Sequence, residues 1–144
     1  MADFNGDGTS DILWHSDSGE NLIWGIGNDQ MTNGAALPNT TNDWHLAGVG
    51  NFNGDGTSDI FWHSDSGQNL IWNIGDDQLT KGAALPITTS GWHVAGVGDF
   101  NRDNTADILW HSDGGQNLIW NIGNDQLTSG AALPSVTSNW HIVI

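Results

Sequence analysis

The chain has 144 residues, no cysteine, seventeen acids against two fixed cations, and a formal net charge of −15. So small a basic complement excludes a counterion-displacing grip on nucleic acid or on an anionic membrane surface. The missing cysteines exclude disulfides and thiolate metal sites. No apolar run approaches the roughly 20 residues of a membrane helix, so membrane insertion is not expected, and Met1 leads directly into an acidic turn with no signal peptide before it.

The first element is an acidic loop, residues 3–11, reading D-F-N-G-D-G-T-S-D. Alternate oxygen-bearing side chains around a glycine suit a hard cation such as Ca²⁺. The same residue types also close Asx turns on their own backbone, with no metal. Both readings stand at this level. The calcium reading would use Asp3, Asn5, Asp7 and Asp11 in the first copy of the loop, and Asn53, Asp55 and Asp59 in the second, which opens with Asn51. In the third it would use Asp99, Asn101, Asp103 and Asp107, where Arg102 and Asn104 replace the glycines.

Next comes a hairpin, residues 12–26. Centring its turn on Asp17 to Glu20 pairs Ser16 with Asn21, His15 with Leu22, Trp14 with Ile23 and Leu13 with Trp24. Strand residues alternate faces. This register would put Leu13, His15, Leu22 and Trp24 on one face and Ile12, Trp14 and Ile23 on the other.

A complete unit is clearest further along. Residues 92–100 form a Gly-punctuated β segment, 101–106 a polar turn, 107–112 an apolar β-prone run and 113–116 a hairpin turn. Residues 117–123 are a third strand, and 126–133, after Asn124-Asp125, a fourth. These segments are too short for typical helices. The pattern recurs every 48 residues: Asp11, Asp59 and Asp107 keep the phase, as do all nine tryptophans and all six histidines. Four short strands in a period of about 40–50 residues is the signature of a propeller blade.

The expected fold is therefore an all-β propeller with three four-stranded blades per chain. The units fall at about 1–50, 51–98 and 99–144, with the last strand shared across the chain ends. Six residues separate Trp140 from a following Asp3 if His141 to Ile144 is continued by Met1 and Ala2, as six separate Trp92 from Asp99. A propeller needs roughly four blades or more. Homo-oligomeric closure is therefore expected, as a six-bladed dimer or alternatively a nine-bladed trimer.

Three tryptophan sets divide the roles. Trp14, Trp62 and Trp110 are expected in the core. Trp24, Trp72 and Trp120 lie beside His15, His63 and His111 and near Asn21, Asn69 and Asn117, so core and site are both open. Trp44, Trp92 and Trp140 follow a polar stretch and precede a histidine, which suits the mouth of a cleft between blades. Indole faces beside His and Asn suit a sugar: the ring stacks on the C–H face of a pyranose while polar groups take its hydroxyls. The thrice-repeated His-Ser-Asp (His15-Ser16-Asp17, His63-Ser64-Asp65, His111-Ser112-Asp113) is not a hydrolase triad, because adjacent strand residues point apart. No enzyme is expected.

With D-F-N-G-D-G-T-S-D-I-L-W, G-Q-N-L-I-W and W-H-V-A-G-V-G-D-F in every unit or nearly so, the chain resembles FG-GAP/VCBS-type propeller repeats. The Trp and His placement is most similar to the seven-bladed bacterial propeller lectins of the Photorhabdus type. That resemblance implies several equivalent sugar sites between blades, fucose-type or O-methylated sugars as ligands, and multivalent assembly. The chain departs from it in having three nearly identical repeats, which looks like an amplified or engineered fragment. The other functions weighed are a ligand-free, self-assembling scaffold and a calcium-stabilised adhesion module.

Overall fold

The computed structural model describes residues 2–137 and 139–144; Met1, one of the junction residues named above, lies outside them. Eleven strands follow in chain order: β1 (Ile12–His15), β2 (Asn21–Gly27), β3 (Gln30–Leu37), β4 (Trp44–Gly50), β5 (Asp59–Ser64), β6 (Asn69–Gly75), β7 (Gln78–Leu85), β8 (Trp92–Gly98), β9 (Asp107–Ser112), β10 (Asn117–Gly123) and β11 (Gln126–Leu133). They form three antiparallel sheets, β1-β2-β3, β4-β5-β6-β7 and β8-β9-β10-β11. The all-β blade architecture expected from the repeat is present, with no helix among the described residues.

The sheets are offset from the sequence units. Divisions at about 1–50, 51–98 and 99–144 cut the second and third sheets after their first strands, because β4 pairs with β5 and β8 with β9 rather than with the hairpin before. The segment 139–144, in phase with β4 and β8, is not in a strand.

Turn chemistry sets the hairpins. Asn28 and Asp29 both take positive φ, 51° and 62°, as do their counterparts Asp76-Asp77 and Asn124-Asp125. Two left-handed residues make the tight turn whose twist matches the flanking strands, and Asn and Asp tolerate that region best after glycine.

The hairpin at 12–26 differs from the expected register by one residue. The observed partners are Ile12 with Trp24, Leu13 with Ile23, Trp14 with Leu22 and His15 with Asn21. The loop holds five residues, not four: Ser16 N donates to Glu20 O, Gly19 N donates to Ser16 O, and Gly19 sits at φ 86°. A side chain at Gly19 would also collide with the Thr40 carbonyl. A one-residue slip moves a strand's side chains to the other face. Trp24 therefore shares a face with Trp14, their rings 5.0 Å apart, while His15 shares one with Asn21.

The core lies between sheets. One cluster holds Phe4, Ile23, Leu37, Ile60, Trp62 and Ile74, and the next holds Phe52, Ile71, Leu85, Ile108, Trp110 and Ile122. Each member of the second stands 48 residues after one of the first. Polar links repeat as well: Asp77 N donates to Phe4 O and Asp125 N to Phe52 O. The Asn33 amide donates across the first junction to Asp77 at 3.0 Å, and at the second junction Lys81, in the same place, meets Asp125 at 3.4 Å while Asn73 adds a bond to it at 2.7 Å.

Candidate functional site: aromatic hollows between blades

The register brings together tryptophans that the expected pairing kept apart. Trp62 and Trp72 share a face with ring centroids 5.3 Å apart, and Trp110 and Trp120 meet at 5.1 Å. Trp44 and Trp92 join them from β4 and β8. The result is a hollow of about 230 Å³ lined by Thr40, Thr41, Trp44, Trp62, Leu70 and Trp72, with Asn39. A second, of about 240 Å³, is lined by Thr88, Thr89, Trp92, Trp110, Leu118 and Trp120, with Ile87. Each hollow thus takes one indole from each of the three sets. Trp62 and Trp110, expected in the core, are buried but also form its wall, and their indole N–H groups have no acceptor.

Histidine has a different place. His15 does not line a hollow with Trp24. Its ring stands edge-on to Trp62 of the next blade at 5.4 Å, and His63 stands likewise to Trp110 at 5.5 Å. Nδ1 of His15, His63 and His111 lies 2.7 Å from Oδ1 of Asn21, Asn69 and Asn117 respectively. Asn21 and Asn69 are buried, and each amide donates to a proline carbonyl, Pro38 or Pro86. Buried polar groups need such partners. These asparagines therefore anchor the turn and the chain after β3 or β7.

A polar hollow lies on the neighbouring surface. His45, His63, Asp65, Ser90, Trp92 and His93 line one of about 290 Å³. His93, His111, Asp113, Trp140 and His141 line its counterpart, of about 400 Å³. His45 Nε2 meets Asp65 Oδ1 at 2.7 Å, and His93 Nε2 meets Asp113 Oδ1 at the same distance. His45 and His93 were not among the expected site residues; the recurring Trp-His pair was their only sequence signal. The hollow threonines, before that pair, gave none beyond polarity.

Ser, His and Asp of the repeated tripeptide do not act together. Ser64 Oγ bonds Ser66 and accepts from Gln68 N, His63 bonds Asn69, and Asp65 bonds His45. None of these is the Ser–His hydrogen bond that would activate the tripeptide's serine as a nucleophile.

The acidic loops use their oxygens on the backbone. Asp3 accepts from Gly6 N and Gly8 N, Asn5 from Asp7 N, and Asp7 from Thr9 N. Asp11 accepts from Phe4 N and Ile26 N. The second loop repeats this through Asn51, Asn53, Asp55 and Asp59. The third does so through Asp99, Asn101, Asp103 and Asp107. As placed, these oxygens accept the hydrogen bonds of a turn, and no group of three or more His, Cys, Asp or Glu is arranged to hold a metal among the described residues. Burial pushes the Asp59 carboxyl up to about 6.

No curated protein matches the chain. The family model for the FG-GAP-like repeat matches residues 3–62 and again 51–110, each match running from one acidic loop through the next. Together with the blades just described, these matches place the chain in the FG-GAP-like repeat family.

Proposed function

We propose that the chain is a carbohydrate-binding module without enzymatic activity, and that its sugar sites are the aromatic hollows. FG-GAP-like repeats fit a repeat propeller or an adhesion-type module, and surface recognition is the finer reading of that class. One observation carries it: the same three-indole, two-threonine hollow is built twice, at a spacing of one repeat. An indole wall suits the apolar C–H face of a pyranose, and threonine hydroxyls suit its hydroxyls. Neither hollow contains a fixed charge, so binding should be insensitive to ionic strength. Weak, equivalent sites gain avidity on a glycan-bearing surface.

The similarity of the Trp and His pattern to propeller lectins directs the choice of ligand to fucose-type and O-methylated sugars. A glycan array, with tryptophan emission followed as these sugars are titrated, tests the reading. Binding should shift or quench the emission. A blank array together with unchanged emission at millimolar sugar would leave a ligand-free scaffold in its place.

A further inference from the structure

Each set of contacts that joins one blade to the next occurs twice in the chain, and the two halves of a third set stand apart at its ends. Trp62 and Trp110 are 0% and 1% exposed under His15 and His63, whereas their counterpart Trp14 is 48% exposed. No ring stands against His111, the matching histidine, among the described residues. Phe4 and Phe52 are fully buried, but Phe100 is 40% exposed. Ile12 and Leu133 are likewise exposed where their counterparts are buried. Among the described residues the sheet edge at β1 has no fourth strand, and the Trp-His segment at 140–144 is in phase with β4 and β8 but pairs with no strand. Ile144 packs over Gly96 of β8, one residue short of the position in phase with Val97, which packs over Gly48 of β4, so this segment lies beside β8 without yet holding the register of a next first strand.

We infer that a second copy of this chain occupies this face, head to tail, and that residues 140–144 of each copy become the fourth strand of the other's first blade. The observed β4–β5 register, Trp44 with Ser64, His45 with His63 and Leu46 with Trp62, sets the new one. Trp140 falls opposite Ser16, His141 opposite His15 and Ile142 opposite Trp14 of the partner subunit. His141 then reaches Asp17 of the partner subunit, as His45 reaches Asp65 and His93 reaches Asp113. A head-to-tail contact closes into a ring when its rotation allows. Two copies give six blades, within the roughly four to eight of closed propellers. A third aromatic hollow forms at each junction, from Trp140 of one copy and Trp14, Leu22 and Trp24 of the other. That this hollow binds sugar rests on the function proposed above; the strand exchange does not.

Sedimentation equilibrium of the full chain at micromolar concentration tests the ring without any sugar. The expected mass is twice 15.4 kDa. Trp14→Glu and Ile142→Lys should each halve it and leave the far-ultraviolet β signal intact. Mixed together, they should recover a two-chain species, because one junction in the mixture keeps Trp14 from one variant and Ile142 from the other. A monomeric wild type, a three-chain mass, or a dimer that resists Ile142→Lys overturns the proposal; that last result would indicate a face-to-face dimer through Trp14 instead. Sugar stoichiometry separates the two ideas. The ring with sugar sites binds three sugars per chain. A monomer binding two keeps the lectin and loses the ring. A dimer binding none keeps the ring and loses the lectin.

Discussion

The His15 ring meets the Trp62 indole edge-on across a blade boundary, with centroids 5.4 Å apart, while its Nδ1 is held by Asn21. One side chain therefore joins a turn within its own blade to the aromatic wall of the next. The geometry repeats at His63 and Trp110, so histidine here is a joint between blades.

Replacing that joint should cost stability first. His63→Ala removes an edge-on aromatic contact, worth about 0.5–1.5 kcal/mol. It also strips the Asn69 carboxamide oxygen of its imidazole partner, a loss of about 1–3 kcal/mol where the group stays buried. The expected outcome is a loss of about 2 kcal/mol in urea unfolding. An unchanged midpoint would show that the histidine is not a joint.

Two tryptophans of one hollow should separate binding from folding. Trp44 is half-buried at the rim and Trp62 is fully buried. Trp44→Ala should remove one sugar per chain from the binding stoichiometry at little cost in stability. Trp62→Ala should destabilise by about 3–5 kcal/mol, as large core truncations do. If Trp44→Ala leaves the stoichiometry unchanged, this hollow is not a site.

The blades were legible in the sequence because each strand is a short β-prone run between Gly, Asn and Asp turns, and because the repeat confirms every assignment twice. The faces were not. They depend on whether the Ser16–Glu20 loop counts four residues or five, which Gly19 in the left-handed region and the Glu20 N–H to Ser16 Oγ bond decide. The meeting of His15 with Trp62 was out of reach for another reason: it spans 47 positions and exists only once two blades stack. The acidic loop was ambiguous because the residues that suit calcium are those that suit an Asx turn.

That loop can be resolved by comparing two aspartates. Asp59 is buried and accepts from Phe52 N at 2.9 Å and Ile74 N at 3.1 Å. Asp59→Ala leaves two backbone donors without acceptors, at about 1–3 kcal/mol each. Asp55 is exposed and serves Thr57, so Asp55→Ala should cost about 1 kcal/mol or less, in the manner of a lost cap. As hydrogen-bonded turns, the loops should melt at the same temperature in chelator and in millimolar calcium. A calcium-dependent rise abolished by Asp7→Ala would reverse that assignment, since a ligand that binds the native state raises its melting temperature.

Acid should stabilise the protein before it unfolds it. Burial holds Asp59 protonated up to about pH 6, against an ordinary value of 3.8, and burial raises Asp77 and Asp107 as well. Between pH 3.8 and about 6 the native state therefore binds more protons than the unfolded chain, so stability falls as pH rises through this window. At one proton, about 1.4 kcal/mol per pH unit, the gain from pH 7 to pH 5 is on the order of 1 kcal/mol from Asp59 alone. Asp7, Asp43 and Asp103 act in the opposite sense. Bonds from Thr9, Thr41 and Thr105 hold their carboxyls below 3.8, so their contribution is present above that value and lost beneath it. Melting temperature should accordingly peak between about pH 4 and 6 and drop below that range. Asp59→Asn, which cannot titrate, should narrow the difference between pH 5 and pH 7. A wild type that melts higher at pH 7 than at pH 5 would show that the buried carboxyl is ionised in the native blade.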